Sequence, residues 1–315
     1  MNQSLLVTRT DDGVTTELRE ELFLGDGDML VDVSHSSLNY KDAMALRGDK
    51  GVMRVDPLVP GIDVVGTDAE SGRLVTVNGA GLGEFRHGGY TTQQRVPADA
   101  AIPVPERSAA WHAAAIPVPE RFDAWHAAAI GTAGFTAAMS VVALREQGVG
   151  DGEVLVTGAT GGVGSIAVHL LARLGYDVVA STGRPEHGDW LRDLGAGELI
   201  GREDEKGRPL QKARWAGVVD CVGSHTLVNA CAQTVWGGTV TACGLAQGPD
   251  LPATVLPFIL RGVKLVGINS VDAPRLVRER AWELLDATLD LDGRTGLTAT
   301  ISLSDVVSAG EELMN

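Results

Sequence analysis

From Glu153 the chain reads Glu153-Val-Leu-Val-Thr157-Gly158-Ala-Thr-Gly161-Gly162-Val163-Gly164-Ser165. Residues of these types at this spacing can hold a diphosphate. The glycines permit a tight turn, let the backbone approach the phosphates, and let the following helix pack against its sheet. The helix start then offers free N–H groups and the positive end of the helix dipole. Taken alone, this variant of G-x-G-x-x-G would suit a glycine-rich turn in many α/β proteins. Its flanks make it specific, because an apolar strand precedes it and a helical run (Ile166 to Leu174) and a second strand (Asp177 to Ser181) follow.

The end of that second strand selects the cofactor. An NAD site places Asp or Glu about 20 residues past the turn, bonded to the ribose 2′-hydroxyl. Here the residues are Ser181, Thr182, Gly183 and Arg184, with no acid among them. Hydroxyls and a guanidinium donate well to a 2′-phosphate, which a carboxylate would repel. NADPH is therefore the expected cofactor, the alternative for Arg184 being a solvated helix-start residue.

Little else in the chain suggests metal or thiol chemistry. The cysteines Cys221, Cys231 and Cys243 form no C-x-x-C pair, and no H-E-x-x-H spacing occurs, so no metal site is expected. Cys221 and Cys243 end apolar strand-like runs and read as buried structural thiols. With 41 acids against 26 bases and a net charge of −15, nucleic acid is not an expected partner. No apolar run approaches the roughly 18 residues of a membrane span, and the N-terminus has no signal-peptide pattern, so no membrane association and a cytoplasmic location are the expectation.

Two kinds of pattern must position these residues. Up to about residue 98 the chain holds short β-like runs such as 30–34 and 73–77, punctuated by Gly and Asp. From about Gly131 the pattern changes to a helix over Thr132 to Glu146 and strands near 153–157, 177–181, 217–221, 238–242 and 263–267, with helices between several of them. This alternation predicts an α/β, parallel, doubly wound sheet. Beyond it, Ala273 to Leu289 reads as a helix and Leu297 to Leu303 as a strand. A last helix is expected to have Ser304 and Asp305 at its cap and first turn.

Residues 100–113 recur almost unchanged at 114–127, with Phe122-Asp123 in place of Ser108-Ala109. Two copies cannot build a solenoid, so this reads as a duplication tolerated in a surface connection. The second copy runs directly into Gly131 and is taken as the placed one, leaving Trp111 and His112 dispensable.

Several further phrases share one origin: Ser36-Ser-Leu-Asn39-Tyr40-Lys-Asp42, Pro60-Gly-Ile-Asp63, His87-Gly-Gly-Tyr90, Gly131-Thr-Ala-Gly-Phe-Thr136, Cys243-Gly-Leu245 and Pro257-Phe-Ile259-Leu-Arg261. Together they resemble the NADPH-dependent acryloyl-CoA reductase branch of the zinc-free, quinone-oxidoreductase-like medium-chain dehydrogenases, over about residues 5–305. The resemblance implies a GroES-like, mostly β catalytic domain (1–129, completed by 293–315) and a Rossmann NADPH-binding domain (130–292), with the active site in the cleft between them. It carries cofactor contacts over to Tyr40, Gly161, Gly162, Val163, Gly164, Ser165, Ser181, Thr182, Gly183, Arg184, Arg202, Leu245, Ile259 and Ser270. A homodimer is also implied, with Val263 to Gly267 as a candidate edge strand; a buried inner strand would read the same way. Against the family pattern, the duplication is extra, the stretch from Gly66 to Leu74 is short, and the chain stops at Asn315 before a Gly-Arg segment and final strand.

The implied reaction sends hydride from NADPH to the β-carbon of a short α,β-unsaturated acyl-CoA, most simply acryloyl-CoA to propionyl-CoA, and then protonates the α-carbon. Charge gathers on the thioester oxygen, so hydrogen-bond donors and a proton source are needed. Tyr40 is the expected catalytic side chain, holding the nicotinamide or relaying the proton, with Asn39 orienting it; a packed aromatic is the plain alternative. Quinone reduction, or NADPH binding with lost catalysis, are the rival functions.

Overall fold

The computed structural model describes residues 2–104, 122–203, 205–290 and 298–314. In chain order the elements are β1 (Ser4–Thr10), β2 (Gly13–Arg19), β3 (Met29–His35), α1 (Tyr40–Leu46), β4 (Asp63–Asp68), β5 (Leu74–Asn78), β6 (Gln93–Val96), β7 (Ile102–Val104), α2 (Ala124–Glu146), β8 (Glu153–Thr157), α3 (Gly162–Arg173), β9 (Asp177–Ser181), α4 (Gly188–Asp193), β10 (Glu198–Ile200), β11 (Trp215–Asp220), α5 (Ser224–Gln233), β12 (Thr234–Ala242), α6 (Leu256–Arg261), β13 (Lys264–Gly267), α7 (Arg275–Thr288) and α8 (Val306–Leu313). They divide into two units. The first takes residues up to Thr132, Ser270–Glu279 and those from Asp290; the second takes Ala133–Asn269 and Arg280–Leu289.

The first unit holds an antiparallel sheet of order β6-β3-β4-β5-β7 and the separate hairpin β1–β2. β-Branched residues suit such a pleated surface, and Val31, Val64, Val75, Val77 and Val96 form one buried cluster with Leu82. A second cluster joins Leu5 and Val7 of the hairpin, Ala45 and Leu46 of α1, and Val306 of α8. At Gly310 of α8 a Cβ would come within 2.9 Å of Leu46, so this glycine lets the two helices approach closely.

The second unit is a six-stranded, wholly parallel sheet of order β10-β9-β8-β11-β12-β13. This is the 3-2-1-4-5-6 order of the dinucleotide-binding fold, whose ligands lie beyond the carboxyl ends of the strands. Among the described residues β13 pairs only with β12, so the strand expected at 263–267 lies at the edge of this sheet.

Some expectations change. The helix expected from Thr132 begins at Ala124, and its two parts meet at a kink where Gly131 adopts φ 50°. Its apolar window, of mean hydropathy 1.7, is long enough to span a membrane by length and composition, contrary to the sequence reading, but 72% of that window is buried inside the protein. Residues 298–302 form no strand, and Leu297 lies outside the described residues. Asp305 holds the N-cap position of the last helix without a side-chain capping bond, and Ser304 lies inside a short 3-10 turn over Leu303–Asp305. Ser270–Glu279, expected in the cofactor domain, groups with the first unit, where Arg278 donates to the Asn78 carbonyl (2.7 Å) and the Ala80 N–H to the Val271 carbonyl (3.0 Å). Both copies of the duplication are used, the first supplying β7 and the second the start of α2. Trp111 and His112 lie outside the described residues. Cys221 and Cys243 are half-buried, not buried; only Cys231 is fully enclosed.

Candidate functional site

The turn after β8 is built by backbone. Gly158 sits at φ 61°, a conformation that glycine adopts without a Cβ penalty. A Cβ on Gly164 would lie 2.3 Å from the Gly158 carbonyl, so only glycine lets α3 start this close to the strand end. Gly161 is the helix N-cap and has no capping side chain. The first N–H groups of α3, from Gly162, Val163 and Gly164, are the orphan donors of a helix start. Ser165 bonds back within the helix, its N–H to the Gly161 carbonyl and its hydroxyl to that of Gly162. The result is a side-chain-free cradle of donors, the shape and charge that a pyrophosphate fits.

A buried carboxylate fixes this turn to the neighbouring strand. Asp220, at the end of β11, accepts from the Thr157 hydroxyl (2.7 Å) and the Gly223 N–H (2.8 Å), while Thr157 accepts from the Cys221 N–H (3.1 Å). Burial pushes the Asp220 carboxyl up from its ordinary range, and these hydrogen bonds work against the shift.

At the end of β9, Ser181 and Thr182 are buried and Gly183 and Arg184 exposed. The Ser181 hydroxyl donates to the Gly201 carbonyl (3.2 Å) and Thr182 meets Thr160 of the glycine turn (3.2 Å). A Cβ on Gly183 would be 3.5 Å from the Arg202 guanidinium, so Arg202 lies beside this strand end and Gly183 makes room for it. Among the described residues neither Arg184 nor Arg202 has an ion-pair partner. Two exposed guanidiniums, with no acid among Ser181 to Arg184, fit a 2′-phosphate. The structure thus brings Gly161–Ser165, Ser181–Arg184 and Arg202 to the carboxyl ends of β8, β9 and β10. Leu245 follows β12 and Ile259 lies on α6, both exposed. Ser270, Tyr40 and Asn39 belong to the first unit.

Tyr40 is the first residue of α1 and is 58% exposed. Its position is set by a capping box: Asn39 accepts from the N–H groups of Lys41 (3.0 Å) and Asp42 (3.1 Å), and Asp42 accepts from the Asn39 N–H (3.2 Å). The Asn39 Nδ2 is buried with no hydrogen-bond partner among the described residues. Lys41 does not pair with Asp42; it reaches the nearly enclosed Glu84 at 2.7 Å.

Beneath α1 is a polar network that sequence reasoning missed. Asp63 is fully buried and accepts from Asn78 Nδ2 (2.7 Å), the Thr132 N–H (2.9 Å), the Thr132 hydroxyl (2.6 Å) and the Ser37 hydroxyl. Asp42, also fully buried, accepts from the Ile62 N–H (2.9 Å). Burial, and then the charge of Asp63, push the Asp42 carboxyl up to about 8. Burial, and then these two carboxylates, hold the Tyr90 phenol above its ordinary range. The available signal was an acid inside or beside an apolar strand, as in Ile62-Asp63-Val64-Val65, since an unpaired charge is not tolerated there. Among the described residues no group of three His, Cys, Asp or Glu side chains could hold a metal ion.

Comparison with known proteins agrees with this architecture. The family model for zinc-binding dehydrogenases matches residues 162–287. The chain is 43% identical to the probable acrylyl-CoA reductase AcuI of Escherichia coli, covering 99% of this chain and 96% of that protein. It is 41% identical to the acrylyl-CoA reductase AcuI of Ruegeria pomeroyi, covering 100% and 96%. Among solved structures, the YhdH oxidoreductase of Salmonella enterica in complex with NADP superposes with a TM-score of 0.90 at 40% identity, covering 99% of this chain and 96% of that one.

Proposed function

This chain belongs to the acrylyl-CoA reductase family of medium-chain dehydrogenases/reductases, and from that premise we propose that it reduces a short α,β-unsaturated acyl-CoA, acryloyl-CoA to propionyl-CoA, with NADPH. The observation that carries this reading is the end-to-end match to two reductases of that name. The cradle after β8 and the paired guanidiniums beside β9 support its cofactor half.

When bound, NADPH supplies the hydride that reduces the β-carbon. The N–H groups of Gly162, Val163 and Gly164 hold the pyrophosphate, and the dipole of α3 favours its charge. Arg184 and Arg202 bind the 2′-phosphate, with the backbone from Ser181 to Gly183 shaping the pocket rim. Leu245 and Ile259 offer apolar surface, and Ser270 a polar contact. Tyr40, exposed at the head of α1, donates a hydrogen bond as negative charge gathers on the thioester oxygen and relays the proton to the α-carbon. Asn39 orients Tyr40 by fixing the first turn of α1 rather than by touching the reacting atoms. We further propose a cytoplasmic homodimer, with the edge strand β13 as its contact.

The test is NADPH oxidation, followed by absorbance, with acryloyl-CoA, crotonyl-CoA and a small quinone as substrates and NADH as the rival donor. Turnover of acryloyl-CoA with a clear preference for NADPH is expected. Reduction of the quinone alone would overturn the substrate, and equal use of NADH would overturn the roles of Arg184 and Arg202.

A further inference from the structure

The site contains two thiols that the reaction does not use. Cys221 and Cys243 follow β11 and β12 directly, and the pairing of Asp220 with Ala242 makes them the next opposed residues of the parallel ladder. The Cys243 N–H continues that ladder by donating to the Asp220 carbonyl at 2.9 Å. Neighbouring strands run about 4.8 Å apart, which falls in the roughly 4.4–6.8 Å range of Cα separations that a disulfide spans. The two sulfurs already lie 3.8 Å apart, and both residues are half-buried. Cys231, in contrast, is enclosed on α5.

Both thiols touch the parts that would hold the cofactor. A Cβ on Gly158 would be 3.4 Å from the Cys221 Cβ, so Cys221 backs the glycine turn. A Cβ on Gly244 would be 2.1 Å from the Cys221 carbonyl, so the loop leading to Leu245 passes directly against Cys221. A disulfide needs the sulfurs at about 2.05 Å. Closing the remaining gap draws the two strand ends together, and the turn at Gly158 and the loop carrying Leu245 are packed against the residues that move.

We propose that Cys221 and Cys243 form an oxidation-sensitive dithiol, converted by a hydroperoxide to an intramolecular disulfide that weakens NADPH binding. In the first step one of the two sulfurs attacks the peroxide, an S–O bond forms as the O–O bond breaks, and the thiol proton leaves with the departing oxygen as water from hydrogen peroxide or as an alcohol from an organic hydroperoxide. In the second the other sulfur attacks that sulfenic acid, the S–S bond forms, and water leaves. Two thiols are oxidised and one hydroperoxide is reduced. The effect on NADPH, unlike the disulfide itself, rests on the cofactor reading above.

The test treats the reduced full-length protein with hydrogen peroxide, then counts alkylatable cysteines after unfolding and measures NADPH affinity before and after. A fall from three thiols to one is expected, with a linked peptide containing Cys221 and Cys243, and dithiothreitol should restore all three. The NADPH Kd should rise by about fivefold or more and recover with the thiols. C231S should behave as the parent does, whereas C221S and C243S, or the alanine versions, should show no reversible change. Three thiols surviving peroxide, or a disulfide that leaves the NADPH Kd unchanged, would overturn the proposal. A reduced protein that binds no NADPH would instead refute the cofactor reading and the proposed effect on it, while the thiol count still decides the disulfide.

Discussion

Thr132 places its N–H on one carboxylate oxygen of Asp63 (2.9 Å) and its hydroxyl on the other (2.6 Å). It can do so because Gly131, at φ 50°, turns the chain just before it; a Cβ at that glycine would press on Asp63 and Ser37 at 3.0 Å. One buried acid thereby joins β4, β5 and the kink of α2. Thr132→Val removes the hydroxyl at nearly constant shape. It should cost about 1–3 kcal/mol of stability, read as a lower urea midpoint.

The second buried acid makes stability depend on pH. Asp42 has a folded pKa of about 8, above its ordinary value of 3.8, so between these values the folded chain holds a proton that the unfolded chain has lost. Stability then falls as pH rises through that window and levels off above it. In Asp42→Asn the dependence is removed, but an amide N–H faces the N–H of Asn39 or Ile62, so the variant starts less stable. Its deficit against the parent should shrink as pH goes from about 5 to 8; thermal unfolding across that range measures it, and a constant or widening gap would contradict the assignment.

At the end of β9, Arg184→Ala and Arg202→Ala should each raise the NADPH Kd by about tenfold, the loss of a charge-assisted hydrogen bond. NADH binding should be unchanged. Fluorescence titration of both cofactors reads this, and equal losses for the two would remove the phosphate assignment.

Gly164→Ala places a methyl group 2.3 Å from the Gly158 carbonyl. Because backbone and not a flexible side chain is in the way, α3 must shift from the strand end. The expected cost is about 1–3 kcal/mol, together with weakened NADPH binding. Unchanged affinity in a folded variant would show that the cradle does not bind the pyrophosphate.

Tyr40→Phe should lower turnover by about 100-fold or more if the hydroxyl relays the proton. Stability should hardly change, since the ring is more exposed than buried. Steady-state kinetics with acryloyl-CoA decide it, and parent-like turnover would reduce Tyr40 to a surface residue of α1.

Much of the second unit was legible because parallel βα units advertise themselves locally. The apolar run Val154–Val156, the glycines and the apolar face of α3 lie within about one unit of chain. The same holds for the acid-free end at Ser181–Arg184. The first unit was less legible. Lys41 pairs with Glu84, 43 positions away, and nothing local announces their meeting. Leu297–Leu303 looked like a strand by composition, but 298–302 have no strand partner among the described residues. Cys221 and Cys243 end apolar runs, yet they stop just where the strands leave the core, so they are half-buried.

The sequence by itself determined the glycine turn after β8, the acid-free end of β9 and the parallel order of folding units, since each depends on residues close in the chain whose glycines, charges and periodicity act locally. Tertiary structure alone decided that Asp42 and Asp63 share one buried site, that Lys41 reaches Glu84, and that two thiols 22 positions apart come within 3.8 Å. Those outcomes depend on which strands pair and in what register, and a local reading of side-chain type carries no information about a partner that is brought into place only when the sheet closes.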